Sequence, residues 1–564
     1  MPSTAPPTGK KARPERRRRV AAEPAQSPAA AAPSAWRSPE RLALLGILLL
    51  ALGLRLYRLM TDYPIVGDEG IYLRWAEIID HQGQWFISLL DGKQPLSYWL
   101  YALERMALPN ADPLWTGRLV SVAAGVATTA VIWRVGVKLG SSLGGLLGAA
   151  LYAVFPWAMM YDRLIYTEAL VNLAGASFAW ACLWAFETER PTWKREALAG
   201  LILGLGYFLK STALLFAAIP LAVGLWKGRG RPLELLARWA VMGLVALVFP
   251  VISWVGKPDA PMFETQSTVL HQTGFFVDPA KFLEDPFYRM VINGPRLGEY
   301  LPYLLGWPAT AAVFLSLGYL LWRRSAPGLV LLVAGGAPLL FEVFVLTFLP
   351  TRYPFPHLWP WLLMVGLAAA GLREDLRERL PEPKALQAAL AAFVLLAAGP
   401  MLVRSWLVLN DPKNNISPHD SGYYFGTYSH AGFGVREAVD FLRNEALVHG
   451  PFLLLVDPIW SVPADAIFPY LNEKYGIRVH EAWWTQLSGD HPIMPLTEVE
   501  LMRSQYERIP AGKIDFRREP RVFYLTDTNY YKPEAVAIRQ PTARMVRRFV
   551  KPGGDHSVDI YRLK

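Results

Sequence analysis

Residues 41–72 read RLALLGILLLALGLRLYRLMTDYPIVGDEGIY, and this stretch contains the most informative feature of the chain. Its first part, residues 41–59, is an apolar run of the length that crosses a bilayer as a helix. Asp68 and Glu69 follow within a few residues of the membrane surface. A carboxylate at that depth is costly unless it is paired, hydrated or used, so the acidic pair is a candidate functional site. The alternative for Asp68 is the N-cap of a helix that begins near Glu69, and the two roles are compatible.

The composition predicts a polytopic α-helical membrane protein. Of the 564 residues, 53% are hydrophobic and only 18% are charged, which excludes a run of ordinary soluble domains. Apolar runs of about 20 residues predict about eleven transmembrane helices. They lie near 41–59, 114–137, 141–160, 167–187, 196–209, 211–226, 235–256, 301–322, 328–349, 353–371 and 385–409. The fifth and sixth runs abut at Lys210-Ser211-Thr212, where either two helices meet at a tight outer turn or one element is broken.

Basic residues predict the orientation, because Lys and Arg in short loops stay on the cytoplasmic side. They fill alternate connections, at Arg16 to Arg19, Arg134 and Lys138, Arg190 to Arg195, Lys227 to Arg231, Arg323 and Arg324, and Arg373 to Lys384. The predicted protein is therefore a multi-pass protein of the plasma or inner membrane with a cytoplasmic N-terminus. The net charge of +10 largely reflects this bias, and no basic groove with aromatic stacking partners indicates nucleic acid as a partner.

Three regions are predicted along the chain. Residues 1–38 are rich in Pro, Ala, Ser and Arg, which predicts a disordered, basic cytoplasmic segment. Residues 39–410 form the transmembrane domain, and residues 411–564 form an extracytoplasmic α/β domain. The small residues 29–35 precede the first apolar run, which is the wrong order for a cleavable signal, so the first helix is retained. The single cysteine, Cys182, excludes an intrachain disulfide.

The first outer loop, residues 60–112, is too long for a simple turn, and such loops in compact proteins usually have a function. Its first helix, predicted from Glu69 to about His81, has an apolar face that suits the membrane interface, formed by Tyr72, Trp75, Ala76 and Ile79. Lys93 stands before a second helix that starts near Pro95, and a helix N-terminus beside a lysine favours phosphate. The alternative is that Lys93 extends to the lipid headgroups.

Further outer positions combine acids and bases. Arg163 and Glu168 flank the start of the fourth apolar run. Lys210 separates the fifth and sixth runs, and Arg352-Tyr353 precedes the tenth. Each has a structural alternative, because Arg163 and Glu168 can pair and Lys210 or Arg352 can cap a helix C-terminus. Together they predict opposite charges on one face of one bundle.

These motifs and their order resemble the C-type glycosyltransferases that use polyprenyl-phosphate sugars. This group includes the protein O-mannosyltransferases and the lipid A aminoarabinose transferases. The resemblance extends over residues 41–410. The matching residues are Asp68-Glu69 followed by Tyr72 and Ala76, Lys93-Gln94-Pro95-Leu96-Ser97-Tyr98-Trp99, Arg163 with an acid five residues later, Lys210, and Arg352-Tyr353 with Pro354, Pro356 and Pro360.

The chain departs from the family pattern at Gln94, Glu168 and Ser211, where the family has proline, often aspartate and commonly glycine. Some members of the family bind a metal through an acid directly before the motif lysine, and this chain has Gly92 there. The resemblance therefore implies no obligatory cofactor. A divalent metal site of that kind is not supported.

The resemblance implies a reaction that these residues can perform. A hexose or pentose moves with inversion from undecaprenyl or dolichyl phosphate to an extracytoplasmic hydroxyl of a protein, lipid or glycan. Asp68 is the implied general base. Lys93, Lys210 and Arg352 are implied to neutralise the phosphate leaving group, to which Tyr353 adds a hydrogen bond.

The remaining polar residues are implied to bind substrate. Glu69 and Glu168 orient the acceptor, bind sugar hydroxyls or pair with Arg163, and Tyr72 belongs to the same substrate-binding set. Neither the sugar nor the acceptor follows from these residues, because specificity depends on the shape of the pocket.

The residues after 410 have the periodicity of an α/β region. Gly434 to Val448 predicts an amphipathic helix, and Phe452 to Val456 and Arg521 to Thr526 predict buried strands. Gly553-Gly554 predicts the turn of a final hairpin. No glycine-rich phosphate loop follows either central strand, so nucleotide binding is not predicted. Acceptor recognition is the expected role of this region.

Other aromatic and polar segments carry weaker signals. Tyr423-Tyr424 and Trp483-Trp484 suit stacking on sugars, contact with the membrane, or packing, which is the commonest role of such pairs. The outer loop 257–300 suits gating or acceptor contacts. Its His271 lacks a companion histidine at the spacing of metal ligands.

Two other function classes stay open. A transporter or flippase of lipid-linked glycans can use the same charged cavity without chemistry, but such proteins often contain internal repeats, and none is detected here. An inactive relative that only binds the lipid donor is the third alternative.

Overall fold

The structure is a computed structural model that describes most of the chain. The described residues are 38–60, 64–228, 231–257, 276–379, 382–426, 430–457, 462–471, 475–481, 519–529, 532–539 and 541–564. The prediction for residues 1–38 lies outside these ranges except for Ser38, as do Trp483, Trp484 and His271.

The chain up to Asn410 is mostly helical. Proline often occupies the first turn of a helix, where its fixed φ suits the conformation and its missing N–H is not needed. At Pro113 the preceding Asp112 also caps the helix, since its side chain accepts a hydrogen bond from the N–H of Leu114 at 2.9 Å. The helices of this part are Pro39–Leu56, Glu69–Gln82, Leu96–Ala107, Pro113–Lys138, Ser142–Ala153, Pro156–Tyr161, Thr167–Ala185, Lys194–Leu209, Ile219–Lys227, Pro232–Gly256, Pro279–Glu284, Met290–Leu305, Trp307–Trp322, Ala326–Val345, Trp359–Arg379 and Pro383–Asn410, with 3₁₀ helices at Ile87–Asp91, Ser211–Ala218 and Phe355–His357.

Several of these helices can cross a membrane. Within the described ranges, six are long and apolar enough, namely Pro113–Lys138, Thr167–Ala185, Pro232–Gly256, Ala326–Val345, Phe355–Arg377 and Lys384–Asn410. A bent pair, Met290–Leu305 with Trp307–Trp322, brings the number to 7 if it counts as one span. The chain is a multi-pass membrane protein, as predicted. The predicted count of about eleven helices is not confirmed.

Proline and glycine break two of the predicted spans. The run 141–160 is divided at Pro156, which begins a new helix because its ring cannot continue the preceding one. The run 301–322 is interrupted at Gly306, whose φ of +80° lies outside helical values. The helices on either side of Gly306 are bent by 114°.

The junction at Lys210 is a broken element. The helix Lys194–Leu209 ends before it, and Ser211–Ala218 is a 3₁₀ helix that leads into Ile219–Lys227. Lys210 is therefore placed at the end of a helix, where its side chain is free to point toward a neighbouring segment.

The residues after Asn410 contain a mixed five-stranded sheet and short helices. Phe452–Val456 pairs in parallel with Ile477–Glu481 and with Val522–Asp527. Ser557–Arg562 lies antiparallel between Val522–Asp527 and Arg544–Val550. The predicted strands and final hairpin are thus present. The helices are Pro412–Asn415, Pro418–Phe425, Val435–His449, Ala464–Ile467 and Pro533–Arg539.

A buried ion pair fixes the first outer loop to the bundle. Glu69, at the start of the helix Glu69–Gln82, accepts hydrogen bonds from Arg118 at 2.9 and 2.7 Å. Both side chains are fully buried. Arg118 also donates to the carbonyl oxygens of Leu59 at 3.0 Å and Pro64 at 2.7 Å. One arginine of the helix Pro113–Lys138 therefore holds both Leu59, after the first helix, and Pro64, shortly before Asp68.

We expect Arg118→Ala to lower the apparent melting temperature of the purified protein, because the Glu69 carboxylate is left buried without its charge partner. Breaking a buried pair in this way costs about 3–5 kcal/mol. A thermal-shift assay in detergent measures the midpoint. Arg134→Ala removes an exposed arginine from the same helix and serves as the control. Equal midpoints for the two variants would contradict this role of the ion pair.

Candidate active site

Asp68 faces Arg352 and not the start of the helix that follows it. Its Oδ2 accepts a hydrogen bond from Nη1 of Arg352 at 2.7 Å and one from the hydroxyl of Tyr72 at 3.2 Å. Among the described residues its side chain caps no helical N–H. The N-cap alternative is therefore wrong for the side chain, and the carboxylate instead joins two segments that are distant in sequence.

Lys93 lies beside the same group of side chains. Its Nζ is 2.8 Å from Oδ2 of Asp91 and 5.2 Å from the centre of the Tyr72 ring. A second ring, that of Trp75, is 5.3 Å from the same nitrogen. The side chain is one third exposed, at 32%. The ammonium is thus held over aromatic faces near Asp68, which disfavours the alternative that it extends to the lipid headgroups.

Lys210 and Glu168 form a second ion pair. Nζ of Lys210 is 2.7 Å from Oε1 of Glu168, which replaces the alternative pairing of Glu168 with Arg163. The ring of Tyr353 connects this pair to Arg352. Its centre is 4.6 Å from Nζ of Lys210 and 5.4 Å from Cζ of Arg352.

These contacts form one group of neighbouring side chains, which we call the charged cluster. It is built from the first outer loop and from positions at helix ends. Its members are Asp68, Tyr72, Lys93, Glu168, Lys210, Arg352 and Tyr353. Seven of the nine predicted site residues therefore come together.

The charges of the cluster determine the ionisation of Asp68. Burial alone raises the pKa of this carboxyl, but the positive charges of Lys93 and Arg352 and the hydrogen bonds from Arg352 and Tyr72 hold it well below its usual range. Burial lowers the pKa of Lys93, yet the charges of Asp91 and Asp68 outweigh it and raise the pKa to about 12. At neutral pH the cluster therefore presents an ionised carboxylate facing cations.

The turn that carries Arg352 is fixed through the preceding residue. The hydroxyl of Thr351 is bonded to the hydroxyl of Tyr161 at 2.6 Å and to the carboxyl group of Asp420. Its carbonyl oxygen accepts a hydrogen bond from the indole of Trp157 at 3.0 Å. Burial raises the pKa of Asp420 to about 7, against the opposing effects of Thr351 and Arg352. Sequence analysis missed Asp420, because no local motif links residue 420 to this turn.

Glu69 and Arg163, which were predicted to bind substrate, are engaged with the protein itself. Both oxygens of Glu69 accept hydrogen bonds from an arginine and from backbone N–H groups, including that of Ile165 at 2.9 Å. Arg163 donates to the carbonyl oxygens of Arg55 at 3.0 Å and Tyr57 at 2.6 Å, at the end of the first helix. In this structure Glu69 therefore anchors the segment before Asp68, and Arg163 caps the end of the first helix. A contact of either side chain with substrate stays a prediction.

Arg118 is the residue of this region that sequence analysis overlooked. A signal for it exists, because an arginine inside the apolar run 114–137 is costly in a bilayer unless a partner is present. The predictions from sequence rest on the apolar length of the run and on the arginine near its end, Arg134, but not on Arg118.

The cluster has the groups for proton transfer and for neutralising an anion. A carboxylate can accept a proton, and ammonium and guanidinium groups can bind a phosphate. Among the described residues, no three His, Cys, Asp or Glu side chains lie close enough together to hold a metal ion.

Comparison with known proteins finds similarity in sequence over one segment and in fold over most of the chain. Residues 92–254 match the family model of dolichyl-phosphate-mannose-protein mannosyltransferases. No curated protein matches the sequence.

Solved structures share the fold over nearly the whole chain. ArnT from Cupriavidus metallidurans bound to undecaprenyl phosphate superimposes with a TM-score of 0.61 at 13% identity, covering 93% of this chain and 98% of that one. The oligosaccharyltransferase of Archaeoglobus fulgidus, tethered to an acceptor peptide, superimposes with a TM-score of 0.50 at 12% identity, covering 93% and 74%. The fold and the matched segment together confirm the resemblance of this chain to the C-type glycosyltransferase family.

Proposed function

We propose that this protein is an inverting glycosyltransferase that moves a sugar from a polyprenyl phosphate to an acceptor hydroxyl, with Asp68 as the general base. The observation that carries the proposal is the ion pair between Asp68 and Arg352 within a cluster that also holds Lys93 and Lys210. Sugar transfer from a phosphate ester needs a proton acceptor on one side and positive charge on the other. The cluster supplies both.

The cations suit a phosphate leaving group. A phosphate ester is a weak base, so it needs neutralising charge more than a proton donor. Lys93, Lys210 and Arg352 are each held by an acidic partner in the free protein, at 2.8, 2.7 and 2.7 Å. These partners keep the cations ordered before the donor binds. In the proposed reaction these three side chains neutralise the charge of the leaving phosphate, and no metal is obligatory.

Asp68 has an oxygen available for the acceptor. The hydrogen bonds from Arg352 and Tyr72 both use Oδ2, and among the described residues Oδ1 has no hydrogen-bond partner. The ion pair also makes Asp68 a weak base. A donor phosphate that draws Arg352 toward itself raises the pKa of Asp68, so donor binding activates the base. The donor is therefore expected to bind first.

The position of Asp68 depends on the residue before it. Gly67 has a φ of +44°, a conformation that L side chains rarely adopt. A Cβ at this position would lie 2.7 Å from the hydroxyl of Tyr166, so close that either the buried Tyr166 ring or the backbone must shift. Glycine therefore avoids both the backbone strain and this clash.

The proposed donor is a hexose or pentose on undecaprenyl or dolichyl phosphate, and the proposed acceptor is a protein, lipid or glycan outside the cytoplasm. Glu168 remains a candidate for contacts with sugar hydroxyls. The protein is placed in the plasma or inner membrane with residues 1–38 inside and 411–564 outside. The flippase alternative is less well supported, because the charged cluster lies at helix ends and not midway along them.

Mass spectrometry tests the proposed activity directly. Purified protein is incubated with several polyprenyl-phosphate sugars and a mixed acceptor extract, and the products are searched for an added hexose or pentose. Transfer that depends on the protein is expected. Transport of the lipid-linked sugar across vesicles without any transfer would support the flippase instead.

We expect Asp68→Asn to lower the turnover number about 10² to 10⁴-fold, because the amide keeps the size of the side chain and removes the base. Turnover is measured on protein of matched expression and melting temperature. Asp80→Asn, near the other end of the same helix, is the control and keeps the parental rate. Parental turnover in Asp68→Asn would exclude this residue as the base.

The pH profile is expected to change when a cation beside Asp68 is removed. The reaction requires ionised Asp68. The profile to measure is kcat/KM for the donor, because it reports the free protein, in which Arg352 still pairs with Asp68 and its lowered pKa places the acid limb at low pH. Arg352→Gln and Lys93→Gln remove charges that hold the pKa down while burial still raises it, so both variants move the acid limb to higher pH. Lys210→Gln is the control, because Lys210 pairs with Glu168. An unmoved acid limb in both variants would contradict the electrostatic coupling.

Gly67→Ala is expected to reduce turnover about 10²-fold by displacing Asp68, since small misplacements of catalytic groups can have effects of this size. Gly83→Ala is a matched control at the other end of the same helix. Gly83 has a φ of +66°, but nothing lies within 4 Å of a Cβ there. The two variants share the backbone strain, and only one has the clash. Equal activities would show that the contact with Tyr166 does not position Asp68.

A further inference from the structure

The residues after Asn410 return to the loop that carries Asp68. Ile65–Val66 pairs antiparallel with Ala431–Gly432 in a two-stranded sheet. The N–H of Gly67 also donates to the carbonyl oxygen of His430 at 2.8 Å. The C-terminal region is therefore attached to the residue immediately before the proposed base.

Two stacked rings lie at this attachment. The rings of Tyr423 and His430 are 4.5 Å apart at an interplanar angle of 22°. A Cβ on Gly67 would lie 3.3 Å from Cε1 of Tyr423, so this ring is in contact with the turn that leads to Asp68. Tyr423 and His430 are partly exposed, whereas Tyr424, whose ring meets that of Tyr423 in a T-shaped contact at 4.8 Å, is buried. The two stacked rings are therefore partly accessible.

The stack lies within the electrostatic field of the charged cluster. Burial and the negative charge of Asp68 raise the pKa of Tyr423 to about 12, with Arg352 and Lys93 opposing. Burial lowers the pKa of His430, which therefore stays neutral near pH 7. In the part of the chain that the structure describes, neither the Tyr423 hydroxyl nor the His430 imidazole has a hydrogen-bond partner. These polar groups are available to a ligand.

We propose that Tyr423 and His430 bind the acceptor, and that this acceptor is a carbohydrate whose ring packs against the exposed part of these two rings. This inference rests on the proposed glycosyl transfer. Aromatic carbon beside hydroxyl and imidazole groups matches a sugar ring, which has an apolar face and a rim of hydroxyls. Its place next to Gly67 brings an acceptor hydroxyl close to the carboxylate of Asp68.

A peptide acceptor fits the site at Tyr423 and His430 less well than a carbohydrate does. Peptides often bind by adding a strand to an open sheet edge, using the main chain for affinity. Ile65, Val66 and Ala431 of the two-stranded sheet are fully buried, so these residues offer no open edge. The accessible feature is instead the partly exposed pair of the Tyr423 and His430 rings, and this favours a sugar ring as the ligand.

Binding measurements on the full chain in nanodiscs test the inference. The probes are a panel of free oligosaccharides, a panel of peptides containing Ser and Thr, and undecaprenyl phosphate. We expect Tyr423→Ala to weaken oligosaccharide binding roughly 3- to 10-fold and to leave undecaprenyl phosphate binding unchanged. Tyr423→Phe keeps the ring and retains most of the affinity. Tyr288→Ala, which removes an exposed tyrosine outside the cluster, is the control and changes neither affinity.

The outcomes separate this inference from the proposed activity. Oligosaccharide binding that is absent, or that is unchanged in both Tyr423→Ala and His430→Ala, overturns the inference. Transfer of sugar to peptides alone also overturns it and leaves the transferase proposal intact. Oligosaccharide binding that depends on Tyr423, in a protein that transfers no sugar to any acceptor, supports the inference as a binding site and rejects the transferase proposal.

Discussion

The buried pair between Glu69 and Arg118 is the interaction on which the site depends. Two fully desolvated charges are costly, and the cost is offset here because Arg118 also satisfies two backbone carbonyls and Glu69 accepts backbone N–H groups. The pair thereby fixes the first outer loop against the helix Pro113–Lys138. Glu69 is fully occupied, whereas its neighbour Asp68 faces Arg352 and Tyr72 in the charged cluster. One acid of the pair anchors the loop, and the other is the proposed base.

Each cation of the charged cluster forms an ion pair with an acidic side chain in the free protein. Lys93 has Asp91, Lys210 has Glu168, and Arg352 has Asp68. These ion pairs keep the three cationic side chains ordered in a partly buried site when no phosphate is bound. For Arg352 the partner is the proposed base itself. A phosphate that competes for this arginine then couples donor binding to the basicity of Asp68.

The local motifs predicted the members of the site better than their partners. Asp68, Lys93, Lys210 and Arg352 were predicted from charges at membrane boundaries, and the structure brings them together. The partner of Glu69 was missed, because Arg118 lies in an apolar run that was interpreted by its length and by the arginine near its end. The bend at Gly306 was also missed, since a hydropathy pattern does not record a change of direction.

The C-terminal region shows the same limit of sequence interpretation. Its strands follow from alternation and apolar runs, and the strand Phe452–Val456 was predicted with its parallel pairing. Its attachment to Ile65–Val66 was not predictable, because two-residue strands have no periodicity and their pairing depends on tertiary contact. Tyr423 was noted as an aromatic residue, but only its stacking on His430 beside Gly67 connects it with the site.

An experimental structure of the protein with bound undecaprenyl phosphate would show whether a donor phosphate competes with Asp68 for Arg352. We expect the phosphate to contact Lys93, Lys210 and Arg352, and the Asp68–Arg352 distance to increase from 2.7 Å as the arginine turns to the phosphate. A phosphate bound away from these three cations, with the Asp68–Arg352 pair unchanged, would contradict this competition.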